Sequence, residues 1–146
     1  MSNIAPIVII DDDEEDHLII SDGIHHLLPS QPIHFRRNGV EALALLKELG
    51  QANTVITLLV FDLNMPKMGG VELLREVKTD EKFRDVPIII YSTSINIIEK
   101  ENCMNLGAYA YITKPLSFQE SIEIARTFLE IAGVLVPKNP LQVKTT

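Results

Sequence analysis

The chain has 146 residues, of which 46% are hydrophobic and 23% charged, a balance that excludes global disorder and gives a single domain room for a sizeable core. A net charge of −7 argues against nonspecific nucleic-acid binding, and the single cysteine, Cys103, excludes an intramolecular disulfide and a cysteine zinc site. No apolar run approaches membrane-spanning length, and Met1-Ser2-Asn3 lacks the basic start of a signal peptide, so a soluble, cytoplasmic protein is expected.

In chain order, the first apolar run is Ile7–Ile10. A segment with helical spacing follows through Leu18, Ile19, Ile20, Ile24, Leu27 and Leu28. A weaker run, Ile33–Phe35, precedes a second helical segment of Val40, Ala42, Leu43, Leu45, Leu46 and Leu49, stopped by Gly50. The run Leu58–Phe61 leads to a third helix on Val71, Leu73, Leu74 and Val77. Val86–Tyr91, interrupted by Pro87, precedes a fourth helix from Ile95 to Leu106 that stops at Gly107. After Tyr109–Ile112, the last helix starts at Ser117, with Glu120 three residues on in a capping-box pattern, and runs to about Ala132.

The apolar runs are β-branched or aromatic without clean alternation, as strands covered on both faces are. Strict alternation of strands and helices predicts an α/β fold, a flavodoxin-like, doubly wound, five-stranded parallel sheet. Such sheets bind ligands outside the carboxyl ends of their strands. The residues there are Asp11, Asp12 and Asp13, then Asp62-Leu63-Asn64-Met65-Pro66, then Ser92 and Thr93, and finally Thr113, Lys114 and Pro115.

These loops would bring several carboxylates, a hydroxyl and an ammonium to one rim. All six residues from Asp11 to Asp16 are acidic. Taken alone, such a run is usually a solvated loop, a Lys-Pro pair a turn, and Ser92 or Thr93 a helix cap. Their joint placement at successive strand ends favours function. Carboxylates that close repel unless a cation sits among them, and oxygen ligands suit a hard ion such as Mg²⁺. Lys114 cannot be a metal ligand and is placed to pair with Asp62 or a phosphoryl oxygen. A carboxylate between a metal and a lysine is a competent nucleophile toward phosphorus.

Four pieces carry a family resemblance. They are Ile9-Ile10-Asp11-Asp12-Asp13, Val60-Phe61-Asp62-Leu63-Asn64-Met65-Pro66-Lys67-Met68-Gly69-Gly70, Pro87-Ile88-Ile89-Ile90-Tyr91-Ser92-Thr93, and Gly107-Ala108-Tyr109-Ala110-Tyr111-Ile112-Thr113-Lys114-Pro115. From Ile7 to about Ala132 the chain resembles the receiver domain of two-component response regulators. The resemblance implies a (βα)5 receiver domain over residues 1–133. Residues 134–146 would then be a short tail without an output domain, as in stand-alone regulators, including those paired with phytochrome-type kinases.

It further implies that Asp62 accepts a phosphoryl group. Asp12 would ligate Mg²⁺ directly, Asp11 would hold a metal-bound water, and the main-chain carbonyl of Asn64 would complete the set with Asp62. Lys114 would meet the phosphoryl oxygens, Ser92 would be the switch hydroxyl and Tyr111 the switch aromatic. Pro66 and Gly70 would shape the loop after Asp62, and Pro115 would follow a cis bond. Thr93 departs from the smaller residue often found there. The implied partners are a sensor histidine kinase or phosphotransfer protein and a downstream protein target, with no nucleic acid and no membrane. The chain would act as a phosphoacceptor rather than a conventional enzyme.

A haloacid-dehalogenase-type phosphatase is the alternative, since Asp11 and Asp13 have its spacing. Glu15 stands where a Thr or Val is expected, however, and Asn64 where Asp62 would need a second acid. A flavodoxin-like FMN binder would need a Ser/Thr/Gly-rich phosphate loop after the first strand, where this chain is acidic. His25 and His26, adjacent on a helix, diverge and are not a metal pair, His17 and His34 have no evident partner, and Cys103 reads as core filler. On the fifth helix, Phe118, Ile122, Ala125, Leu129 and Ala132 are expected to pack on the sheet. A second stripe, Ile124, Phe128, Ile131 and Leu135, is expected to face outward for homodimerisation unless the Val134–Val136 segment covers it.

Overall fold

The structure, a computed structural model, describes residues 4–134; Leu135 and the rest of the expected tail lie outside the described residues. The elements alternate as β1 (Ile7–Ile10), α1 (Glu14–Leu27), β2 (Ile33–Arg36), α2 (Gly39–Gln51), β3 (Leu58–Asp62), α3 (Gly70–Lys78), β4 (Ile88–Ser92), α4 (Ile97–Asn105), β5 (Ala110–Thr113) and α5 (Phe118–Ile131). All neighbouring strands pair in parallel, in the order β2-β1-β3-β4-β5. This is the predicted fold. Element ends move by a residue or two from the sequence expectation, as helix ends do where capping decides them.

Strand side chains divide by alternation between two cores. Val8, Ile10, Leu59, Phe61, Ile88 and Ile90 pack with α2, α3 and Cys103 of α4. Ile7, Ile9, Leu58, Val60, Ile89 and Tyr91 pack with α1 and α5. Every residue of β1, β3 and β4 is buried, which explains why these strands read as continuous apolar runs.

Side chains set the helix starts. Asp13 caps α1 by accepting from the Glu15 and Asp16 N–H groups. Asn38 and Asn96 cap α2 and α4 in the same way. At α5, Ser117 Oγ accepts from the Glu120 N–H at 3.1 Å, and the Glu120 carboxylate accepts from the Leu116 N–H at 2.9 Å. This bears out the capping-box reading, with the return bond one residue earlier than the usual motif.

The expected second stripe of α5 is corrected. Phe128 is 0% exposed and packs edge-on against Tyr91, with ring centroids 5.5 Å apart. Ile124, Ile131 and Val134 also pack against this core, so the helix does not present an outward Phe128 face. Phe118, expected on the sheet, is instead 61% exposed, with its ring edge-on to His26. The two apolar sectors are adjacent, and α5 sits between α1 and the sheet edge. Contact with two surfaces uses a wider apolar arc than one sheet needs.

Two smaller readings also change. Among the described residues no peptide bond is cis, so the Lys114–Pro115 bond is trans here rather than cis as the resemblance implied. Trans is the intrinsically favoured isomer even before proline. His17, read as lacking a partner, stacks on Phe35 with ring centroids 3.9 Å apart and lies 3.2 Å from Ser21 Oγ.

Truncating the two phenylalanines separates core from surface. Phe128→Ala is expected to lower unfolding stability by about 3–5 kcal/mol. Phe118→Ala is expected to cost less than about 1 kcal/mol. Urea denaturation of both variants checks the contrast.

Candidate functional site

The strand register carries the functional side chains to one rim. β1 runs out at Ile10, directly before Asp11, and β3 ends on Asp62. Because β1 and β3 are neighbours and their helices lie on opposite faces, a crevice opens between the two loops, the usual ligand position in such sheets. Pairing of Ser92 with Thr113 brings the end of β4 to the end of β5. The Lys114 N–H then donates to the Ser92 carbonyl at 2.7 Å, which aims the lysine back over the crevice.

The loop after Asp62 turns within a few residues. The Gly70 N–H donates to the Leu63 carbonyl at 3.0 Å, and a Cβ on Gly70 would stand 2.5 Å from the Asp62 carbonyl oxygen. Only glycine allows that approach. The Pro66 carbonyl accepts from the Met68 N–H at 2.8 Å within the same turn, and the expected shaping role of Gly70 is visible in its close approach to Asp62.

Asp11, Asp12 and Asp62 each offer a carboxylate oxygen within 4.8 Å of the others. Asp11 is fully buried and Asp62 nearly so, whereas Asp12 is exposed at the mouth. Asp11 Oδ1 accepts from the Asp13 N–H at 2.9 Å. Its Oδ2 is buried and lies 2.9 Å from Lys114 Nζ, but out of line for a hydrogen bond, so the contact is one of charge alone. A buried carboxylate oxygen without an aligned donor, beside two further carboxylates, is a donor set that a hard divalent cation fits. Asn64 lies two residues beyond Asp62 in the exposed part of the loop.

Lys114 Nζ is ringed by acids. It donates to Asp16 Oδ2 at 2.8 Å, touches Asp11 Oδ2 at 2.9 Å and stands 3.6 Å from Asp62 Oδ1. The ammonium also lies 5.6 Å from the centroid of the Tyr91 ring. Asp16 is the residue that sequence reasoning missed. It stood inside the acidic run as one carboxylate among six, and α1 begins early enough to turn it inward while Asp13 is consumed as a cap.

Ser92 is buried, and its Oγ accepts from the Ser94 N–H at 3.5 Å, the long limit of a hydrogen bond. Tyr111 is buried as well, and its hydroxyl donates to the Ser94 carbonyl at 3.1 Å. The Tyr111 ring, the expected switch aromatic, therefore points inward. Thr93 is exposed at the rim.

The electrostatics follow from burial. Desolvation pushes the Asp62 carboxyl up to about 7, and the neighbouring Asp11 charge and Asp12 add to this, while Lys114 opposes it. Burial raises Asp11 in the same way against the pull of the Asp13 N–H and Lys114. For Lys114, burial acts downward, but the Asp16 and Asp11 contacts and the Asp62 charge outweigh it, so its pKa is raised and it stays an ammonium.

Residues 7–126 match the response regulator receiver domain family. The chain belongs to that family. A chemotaxis protein CheY homolog of Campylobacter jejuni is 31% identical over 113 residues, covering 77% of this chain and 83% of its own. The phosphorylated cyanobacterial phytochrome response regulator RcpA superposes with a TM-score of 0.80 at 28% identity, over 92% of this chain and 98% of its own. A manganese-bound response regulator superposes with a TM-score of 0.76 at 23% identity, over 91% of this chain and 99% of its own, a likeness of fold.

Receiver domains are signalling phosphoacceptors of two-component systems that work with histidine kinases or phosphotransfer proteins and downstream targets, and they bind a divalent metal. The haloacid-dehalogenase alternative is not favoured. Among the described residues, no helix is long and apolar enough to cross a membrane.

The raised Asp62 carboxyl sets a sign for stability in the absence of metal. Between about pH 4 and about 7 the unfolded chain loses the Asp62 proton while the folded chain keeps it, so stability falls as pH rises through that window. In EDTA, Asp62→Asn is expected to be more stable than wild type at pH 8, by on the order of 2–4 kcal/mol, with the gain vanishing near pH 4. Melting temperatures of both proteins across that range test it, and a pH-independent difference would refute the burial argument.

Proposed function

We propose that this chain accepts a phosphoryl group onto Asp62 from a sensor histidine kinase or phosphotransfer protein, in a magnesium-dependent reaction in the cytoplasm. It then relays the signal to a downstream protein target through a conformational switch. The observation that carries this reading is the convergence of Asp11, Asp12, Asp62 and Lys114, from three separate strand ends, on one rim. Membership of the receiver family and the phosphorylated structural relative support it.

An Asp62 carboxylate oxygen attacks phosphorus in line with the leaving group. Asp12 and Asp62 with the Asn64 carbonyl would hold Mg²⁺ directly, and Asp11 would hold it through water. The carboxylate cluster and the manganese-bound relative support a divalent ion here. When bound, the ion supplies positive charge that offsets repulsion among the carboxylates and the phosphoryl oxygens. Lys114, fixed by its main-chain bond to Ser92, stabilises the same oxygens from the opposite side.

Ser92 donates its hydroxyl to a phosphoryl oxygen. That movement withdraws the acceptor of the Ser94 N–H, and the Ser94 carbonyl is the partner of Tyr111. One residue thus links the switch hydroxyl to the switch aromatic. Tyr111 is already inward, so the change passes through the 92–96 loop and not through a swing of the ring from the surface.

Acetyl phosphate with Mg²⁺ is expected to add one phosphoryl group to wild type and none at this position to Asp62→Asn. Intact-mass spectrometry reads the result, and equal modification of both proteins would sink the assignment. Mg²⁺ alone is expected to raise the melting temperature of wild type by mass action. Asp12→Ala is expected to abolish most of that rise, and an undiminished rise in the variant would count against direct ligation.

A further inference from the structure

Asp16 has no place in the ligand set or the switch, yet it makes the best-formed contact of Lys114. Three carboxylates surround the ammonium at 2.8 Å (Asp16), 2.9 Å (Asp11) and 3.6 Å (Asp62). Among the described residues, only Asp16 is aligned to accept a hydrogen bond from Nζ. The bond joins residues 98 positions apart, and it ties the first turn of α1 to the end of β5.

Asp16 is held in place for this. Its N–H donates to the Asp13 cap at 3.3 Å. Further along, α1 lies against α5 so closely that a Cβ on Gly23 would stand 2.7 Å from the Ser121 carbonyl oxygen. The Tyr91 ring offers the ammonium an aromatic surface near the same point. Lys114 therefore has a built seat beside Asp62 and not on it.

The distance matters chemically. An ammonium in direct contact with Asp62 occupies a lone pair and lowers the charge of the oxygen that must attack. One drawn far away leaves the phosphoryl oxygens without a cation. At 3.6 Å from Asp62 Oδ1, Lys114 avoids the first fault and remains within reach of an oxygen carried on a phosphorus bonded to Asp62.

We propose that Asp16 is a positioning residue for phosphoryl transfer, holding the Lys114 ammonium short of Asp62 and yielding it to the phosphoryl group as that group arrives. This rests on the reading of Asp62 as phosphoacceptor. As the bond between an Asp62 oxygen and phosphorus forms, the bond from phosphorus to the donor (an acyl phosphate or a phosphohistidine) breaks. The electron pair leaves with the donor group. Lys114 keeps its proton throughout and exchanges only its hydrogen-bond partner.

The test compares wild type with Asp16→Ala, Asp16→Asn and Asp16→Glu. The first measurement needs no phosphoryl transfer. In metal-free protein labelled with ¹⁵N-lysine, the Lys114 ammonium is expected to give an exchange-protected signal, assigned by its absence in Lys114→Arg. The signal is expected to disappear in Asp16→Ala and to return in Asp16→Glu. The second is the initial rate of labelling by acetyl phosphate with Mg²⁺, expected to fall about ten-fold in Asp16→Ala. It should fall less in Asp16→Asn, which keeps the shape and an acceptor, and recover in Asp16→Glu.

A Lys114 signal indifferent to Asp16→Ala overturns the proposal, and so does a labelling rate that this variant leaves unchanged or raises. A folded Asp16→Asn with the same loss that Asp16→Glu does not recover also overturns it. Should wild type itself take no phosphoryl group, the acceptor reading falls and the positioning role falls with it, whereas the ammonium signal still decides the Lys114–Asp16 seat.

Discussion

Repulsion among carboxylates is the constraint on which this molecule turns. Asp11, Asp12 and Asp62 are gathered at one rim with their oxygens within 4.8 Å of one another, two of them buried, and one ammonium among them. Coulomb repulsion at such distances is costly in a partly desolvated crevice, and Lys114 offsets only part of it. Burial, with the neighbouring negative charges adding to it, holds the carboxyls of Asp11 and Asp62 above their ordinary range. A folded chain that tolerates this has stored an affinity for positive charge and for whatever brings it.

The architecture makes the cluster possible. Parallel strands all end on the same side, so their C-terminal residues accumulate at one edge, and the chain reversal between β1 and β3 leaves a crevice there. The two cores pin the strands from both faces, which holds the rim in place. The loop after β4 is held by two side-chain bonds of unequal length. There Ser94 bonds Ser92 weakly at 3.5 Å and Tyr111 more firmly at 3.1 Å, a place where a small local change has somewhere to go.

Lys114 and Asp16 add a second coupling across the molecule. Their bond links α1 to the β5–α5 connection on the face opposite the Tyr111 core. Asp62 is therefore flanked by two sets of contacts, one through a hydroxyl and an aromatic ring, the other through an ion pair. Each bridges elements distant in sequence.

Apolar periodicity and the polar residues between the runs determined the element order, the parallel sheet and the four strand-end loops, because alternation, helical spacing and caps such as Asn38 and Ser117 act locally along the chain. The convergence of Asp11, Asp12, Asp62 and Lys114 was legible for the same reason, once the topology put successive strand ends on one edge. Tertiary packing alone decided the rest. Phe128 and Phe118 sit on neighbouring sectors of α5, and only the docking of that helix between α1 and the sheet sends one to the core at 0% exposure and leaves the other 61% exposed. Asp16 was indistinguishable from its acidic neighbours until α1 turned it toward a lysine 98 residues away. A helix's own sequence marks which faces are apolar, but the partner that meets each face is set by contacts between segments remote in the chain, and those carry no local signal.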